Sequence, residues 1–288
     1  MRIVAVMNQK GGVGKTTTAV NLGALLAAEF GKRVLLVDCD PQGNLSDHLG
    51  LDPFAIETSV YDVILRNTPP QQVARPVHGL TVIPANIDLA GAEVELASMT
   101  VRETRLRNAL RGYCRDFDVT LLDCPPSLGL LTLSALALAG EVLVPMEAEY
   151  LAMRGLGQLA HTVELVRDNL NRDLAIRGIV FCQYNRQTRL AQEVRDEVST
   201  HFPDAVYQAV IRRNVRLAEA SSHSLPTVLY DPACAGVEDY RMLAAEFLRR
   251  GGEDIPLPVE EEEEAPDADA DAGDAPRDEP PRNIAYVD

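Results

Sequence analysis

Short apolar runs that break into polar or proline residues at their C-terminal ends recur along this chain. "RIVAVMN" at the start, "RVLLVDCD" (33–40), "LTVIPA" (80–85), "DVTLLDCPP" (118–126) and "EVLVPMEA" (141–148) lack the polar alternation of a half-exposed strand. Such runs predict strands buried on both faces, as in a parallel sheet. Helical spacing fills the intervals. "TTTAVNLGALLAAEFG" predicts a helix that stops at Gly31, followed by helical stretches over roughly 88–112 with a break, 129–139 and 151–170. "LAIRGIVFCQY" predicts a later strand, "RLAQEVRDEVSTHF" a helix, and "VEDYRMLAAEFLRR" a closing helix. Strands alternating with helices imply a three-layer α/β fold, a mostly parallel twisted sheet with helices on both faces. In such folds ligands bind beyond the C-terminal ends of the strands. A glycine-rich loop, the pair Asp38 and Asp40, and Asp123 all fall at those ends.

The pattern changes near the end of the chain. Residues 1–254 read as one domain, and residues 255–288 as an acidic tail rich in proline and alanine. That tail has too little apolar surface to offset its ordering entropy, so it is expected to be disordered. It also distorts the net charge of −16. From Glu253 onward there are fourteen acids and two arginines, which leaves the preceding body at only −4. Between Arg172 and Arg216 eight arginines face five acids. A near-neutral body with a basic patch is therefore compatible with nucleic acid, which the whole-chain figure would argue against. No apolar run approaches the roughly 20 residues of a membrane span. The start runs straight into the glycine loop without room for a signal peptide, and the five cysteines are scattered without a C-x-x-C pair. Reduced thiols and a cytoplasmic location are the expectation.

The loop "NQKGGVGKTTT" (8–18) carries the chemistry. Gly14, Lys15 and Thr16 match the end of the phosphate-binding pattern G-x-x-x-x-G-K-[ST], but Gln9 stands where its first glycine belongs. Backbone amides of Gly11, Gly12, Val13 and Gly14 at a helix N-terminus would form an anion nest. Lys15 would reach the β- and γ-phosphates, Thr16 would ligate Mg²⁺, and Thr17 would bind a phosphate nearer the sugar. Asp123, closing "VTLLD", has the form of the strand-end carboxylate that holds Mg²⁺ through water. Asp38 or Asp40 could orient an attacking water, and spacing does not choose between them. Lys10 is a second lysine in the loop, although lysine occurs only three times in the chain against 24 arginines. It would either fold back beside Lys15 against like-charge repulsion or cross to a nucleotide held by a second subunit, as an arginine finger does.

Lys10 to Thr17, K-G-G-x-G-K-T-T, resembles the deviant Walker A motif of the ParA/MinD ATPases. "VLLVDCDPQGNLS" (34–46), "LLDCPPSLGLLTLSAL" (121–136), "YLAMRGLGQL" (150–159) and "RRNVRLAEASSHSLPTVLYDP" (212–232) resemble the chromosomal ParA, or Soj, branch. The resemblance implies ATP and Mg²⁺ as cofactors and a homodimer with ATP sandwiched between subunits. It also implies slow hydrolysis stimulated by a ParB-type centromere-binding protein, and nonspecific binding of double-stranded DNA by the ATP-loaded, nucleoid-associated dimer. Carried over by motif, Lys10 reaches the neighbour's ATP, Lys15 is the P-loop lysine, and Thr16 ligates magnesium. Asp40 positions the water, Asp123 is the Walker B carboxylate, and Arg213 and Asn214 meet the nucleoside end. Arg186, Arg189, Arg212 and Arg216 become DNA-binding candidates through phosphate neutralisation, with solvated surface arginines as the alternative reading. The sequence departs from the family at Gln183, near the base, and at Gln187, where a DNA-binding arginine is usual; Arg186 and Arg189 flank the latter. An ATP-gated regulator of replication initiation and a MinD-like positioning ATPase are the rival readings. The second needs a basic amphipathic C-terminus, and this chain ends in acid.

Overall fold

The computed structural model describes residues 1–255. In chain order its elements are β1 (Arg2–Val6), α1 (Lys15–Ala28), β2 (Val34–Asp38), α2 (Asn44–His48), α3 (Val60–Leu65), α4 (Pro70–Val73), β3 (Arg75–Val77), β4 (Leu80–Ile83) and α5 (Leu89–Ala97). There follow α6 (Arg105–Leu110), β5 (Val119–Asp123), α7 (Leu130–Leu138), β6 (Glu141–Met146), α8 (Tyr150–Asn169), β7 (Ala175–Tyr184), α9 (Arg189–His201), β8 (Val206–Arg212), α10 (Val215–Ser222), α11 (Thr227–Tyr230) and α12 (Ala235–Arg250). Eight strands form one sheet in the order β3-β4-β2-β5-β1-β6-β7-β8. Every neighbouring pair is parallel except β3 with β4. The three-layer α/β arrangement expected from the apolar runs is the one observed.

Strand alternation divides the core between the two faces of the sheet. Ile3 and Ala5 of β1, Leu35 and Val37 of β2, and Leu122 of β5 pack on one side with α3, α5, α7 and α8. Val4 and Val6, Val34 and Leu36, and Val119 and Leu121 pack on the other with α1 and α12. Because both faces are covered, every residue of β2 and β5 is buried, which is why these strands read as unbroken apolar runs. The register sets Val6 and Asp38 on either side of Asp123. Three strand ends thus converge under the loop that follows β1.

Two strands are absent from the apolar pattern for identifiable reasons. β8 is an edge strand whose run "VYQAVIR" is interrupted by the exposed Gln208. β3 is only three residues long and pairs antiparallel to β4 through His78 and Gly79, both at positive φ, as a two-residue hairpin turn requires. The break expected within 88–112 falls between α5 and α6, where Val101 adopts a φ of 57°. Ile255 still packs against the core beside α12. The remainder of the expected tail, residues 256–288, lies outside the described residues.

One close approach on β7 makes a stability test. A Cβ built on Gly178 would lie 2.5 Å from the Tyr207 ring and 2.7 Å from a Leu143 methyl. Both neighbours are buried in the sheet's flanking core, so neither can yield cheaply. We expect Gly178→Ala to destabilise the fold by about 1–3 kcal/mol, the range for overpacking, read as a lower urea midpoint at unchanged slope. A midpoint equal to wild type would mean that the Tyr207 contact relaxes freely.

Candidate nucleotide site

Between Val6 and Lys15 the chain turns over the C-terminal edge of the sheet. Gly12 and Gly14 have φ of 77° and 89°, a left-handed conformation that costs about 1–2 kcal/mol for residues with a Cβ. Gly14 is the N-cap of α1, and its carbonyl accepts the Thr18 amide at 2.8 Å. Among the described residues the amides of Gly11, Gly12, Val13 and Gly14 donate no hydrogen bond. The first turn of α1 holds no acid, so open amides and the positive end of the helix dipole act together on one spot. An anion fits there.

Lys15 begins α1 and is buried. Its Nζ donates to the Lys10 carbonyl at 3.0 Å. Burial pulls its ammonium below the ordinary lysine range, while Asp123 and Asp40 pull it back up. A desolvated cation satisfied by a single carbonyl has a strong call for an anionic partner. Thr16 Oγ1 donates to Asp123 Oδ2 at 2.7 Å, and the other Asp123 oxygen is buried with no partner. Burial, and then the neighbouring Asp38, hold the Asp123 carboxyl well above the usual range. A hydroxyl against a half-satisfied carboxyl is a pair of hard oxygen donors that a small divalent cation would complete. Among the described residues no group of three or more His, Cys, Asp or Glu could hold a metal without outside ligands.

The two aspartates at the end of β2 stand in different surroundings. Asp38 is fully buried and accepts from the Ser46 amide at 2.9 Å and the Ser46 hydroxyl at 2.7 Å, tying α2 to the sheet. Burial lifts it to about 6, with the Ser46 hydrogen bonds opposing the rise. Asp40 is 6% exposed and its Oδ1 accepts the Gln42 amide at 2.9 Å. Asp40, not Asp38, lines the cavity above the loop. That cavity has a volume of about 1050 Å³ and is also lined by Gly12, Lys15, Thr17, Arg213 and Asn214, room enough for a nucleotide. Asn214 caps α10, accepting the Arg216 amide at 2.8 Å. Gly11, Gly14 and Thr16 line it as well, whereas Val13 is buried, Asp123 lies beneath Thr16, and Lys10 is turned elsewhere.

Lys10 points to its own chain. Its Nζ lies 2.5 Å from Glu147 Oε2 and 3.0 Å from Glu149 Oε2. Glu147 also accepts from Gln183 Nε2 at 2.7 Å, and the same amide nitrogen donates to the Gly12 carbonyl at 3.1 Å. Gln183 reaches the loop because the β7–β8 register shifts between Cys182 and Tyr184, leaving Gln183 at a φ of 53°. Such a backbone costs about 1–2 kcal/mol in a non-glycine residue. The two glutamates are absent from the site expected above. Their signal was the one used for the aspartates, carboxylates at the C-terminal end of a buried strand, here in "EVLVPMEAE".

The basic residues gather where β7 and β8 end. Arg186 lies between β7 and α9, and Arg189 opens α9; Arg212 ends β8, where it pairs with Tyr184 of β7, Arg213 follows it, and Arg216 lies in the first turn of α10. Arg189, 91% exposed, meets Glu193 at 2.8 Å. Arg216 meets Glu219 at 2.7 Å and Asp231 at 3.3 Å. Arg212 is clamped by the buried Asp239, which also accepts its backbone amide, so this arginine has a local structural part. The cysteines are free, four of the five buried. Burial raises the Cys182 thiol to about 12, leaving it unreactive. No helix among the described residues is long and apolar enough to cross a membrane.

A family model for the AAA domain matches residues 1–176. The sporulation initiation inhibitor protein Soj of Bacillus subtilis is 49% identical over 252 residues, covering 87% of this chain and 99% of Soj. The chromosome partitioning protein ParA of Caulobacter vibrioides is 47% identical over 254 residues, covering 87% and 95%. Among solved structures, a Mycobacterium smegmatis protein described as cobyrinic acid a,c-diamide synthase, with bound ATP analog and magnesium, superposes with a TM-score of 0.79 at 40% identity, covering 89% of this chain and 98% of that one. The cell division ATPase MinD of Pyrococcus furiosus gives 0.69 at 26% identity, covering 86% and 98%. With near-complete coverage at almost half identity, this chain belongs to the ParA/Soj family of chromosome-partitioning ATPases.

Proposed function

We propose that residues 1–254 form an ATPase that segregates DNA, cycling between a free subunit and an ATP-sandwich homodimer that binds duplex DNA nonspecifically. The observation that carries this reading is the loop itself: open amides, a buried Lys15, and the Thr16–Asp123 pair with one orphaned carboxylate oxygen. The bound ATP analog and magnesium of the Mycobacterium smegmatis neighbour support ATP and Mg²⁺ as the ligands. Thr16 and, through water, Asp123 would hold the metal, which neutralises developing charge on the phosphates. The amides of Gly11 to Gly14 and the Lys15 ammonium bind the phosphates, Thr17 a phosphate nearer the sugar, and Arg213 and Asn214 the nucleoside end. Asp40 orients the attacking water from its position on the cavity wall. Lys10 neutralises charge on the partner subunit's ATP. Arg186, Arg189, Arg212 and Arg216 contact DNA phosphates. A ParB-type protein and DNA stimulate hydrolysis, which releases the dimer, so that the chain works on the nucleoid in the cytoplasm.

The test is the ATPase rate and sedimentation of the full chain, with and without duplex DNA and a ParB-type protein, for wild type and Lys10→Ala. Wild type should dimerise with a non-hydrolysable ATP analogue, bind DNA with a steep salt dependence, and turn over faster with both partners. Lys10→Ala should still bind nucleotide but remain monomeric. Intact dimers of Lys10→Ala would count against the cross-subunit lysine, and a salt-independent, DNA-insensitive ATPase would count against the partitioning reading.

A further inference from the structure

A lysine needed on a neighbouring subunit should not be committed at home, yet Lys10 is held by two carboxylates of its own chain. Glu147 and Glu149 follow β6 and lead into α8, beside the loop that carries Lys10. Glu147 is the more enclosed, its side chain 18% exposed against 52% for Glu149. Gln183 fastens Glu147 to the loop through the Gly12 carbonyl. The Lys10 backbone is held too, its amide donating to Asn8 Oδ1 and its carbonyl accepting the Lys15 ammonium.

We propose that Glu147, Glu149 and Gln183 are positioning residues that form an in-chain dock for Lys10, which must be vacated before two subunits can pair over ATP. The inference rests on the sandwich dimer proposed above and adds what holds it back. Phosphate arriving in the loop draws the Lys15 ammonium away from the Lys10 carbonyl and thereby loosens one of the dock's ties. Once Lys10 leaves, two carboxylates stand uncompensated beside a triphosphate, and their repulsion opposes closure. Gln183 remains on Glu147 and solvent reaches Glu149, so the dock can empty and refill without unfolding. Exposed ion pairs are weak, which suits a catch that ATP can release. The contact with the two glutamates also holds the Lys10 ammonium above the ordinary lysine range.

The chain has only three lysines, so the full-length protein labelled with ¹³C at lysine Cε gives three side-chain signals, assigned by Lys→Arg variants. In the nucleotide-free protein the Lys10 signal should titrate above the free-lysine position, and Glu147→Gln or Glu149→Gln should shift it back toward that position. Each variant should also lower the concentration of non-hydrolysable ATP analogue for half-maximal dimerisation, by about threefold. Gln183→Ala should do the same to a smaller degree. A Lys10 signal that ignores both substitutions overturns the dock, as does a rise in the nucleotide required, which would make the glutamates contributors to the interface. Glu149 is half exposed and its side chain caps no helix amide, so Glu149→Gln decides the matter if Glu147→Gln fails to fold. A wild type that stays monomeric at saturating analogue would instead overturn the sandwich, while the lysine spectra would still report the dock.

Discussion

Lys15→Ala should weaken ATP binding about 100- to 1000-fold, equivalent to about 3–4 kcal/mol. Lys15 is the only cation whose ammonium is both buried and adjacent to the open amides of the glycine loop among the described residues. Its desolvation is already met in the folded protein, so the phosphate contact is gained without further loss of water around the ammonium. The substitution also removes positive charge from beside Asp123 and Asp40, the two carboxyls that pull its own titration upward. The Asp123 carboxyl, which Lys15 draws down, would be harder to ionise, and a divalent cation would bind less readily. Titration calorimetry with ATP and Mg²⁺ measures the effect directly, and thermal unfolding without nucleotide checks that the variant is folded. A folded Lys15→Ala that binds ATP within a few-fold of wild type would remove the loop as the nucleotide site.

How much of this was legible in the sequence follows from what each feature depends on. The central strands were readable because burial on both faces suppresses polar positions, as in β2 and β5. The edge strands were not. Gln208 can face solvent at the rim of the sheet, and the β3–β4 hairpin turns on His78 rather than on an Asn-Gly pair. At the site, the glycines and Lys15 follow a local spacing that any reader of the chain can test. The resemblance chose Asp40 where spacing alone left the pair open, and the physical difference between the two lies in Ser46, eight residues from Asp38, folding back to occupy Asp38. The glutamate dock was hidden for a similar reason. Lys10 and Glu147 lie 137 residues apart and meet only because β1 and β6 are neighbours in the sheet. Gln183 could be noticed in the sequence as a departure, but its contact with Gly12 depends on a register shift that sequence periodicity does not encode.

The difference between the two aspartates leads to the second large effect. Asp40→Ala should lower hydrolysis about 100- to 10,000-fold, the range for losing a positioned acid–base group, while ATP affinity changes little because Lys15 and the loop amides carry it. Under the proposed cycle the variant would then stay dimeric on DNA after ATP is added, since release waits on hydrolysis. Alanine also removes the hydrogen bond from the Gln42 amide, so a control is needed for loop geometry. Asp40→Asn supplies it: the amide oxygen can still accept from Gln42, and only the charge is lost. If charge at the cavity wall orients the water, both variants stall; if Asp40 serves only to shape the turn, Asp40→Asn turns over normally. Asp38→Asn should behave differently from either. Its side chain faces the donors of Ser46 and not the cavity, and an amide nitrogen set against those donors would lower stability rather than kcat. Single-turnover hydrolysis of pre-bound ATP, compared with urea midpoints for the three variants, separates these outcomes. Wild-type turnover in folded Asp40→Asn would take the water-positioning role away from Asp40.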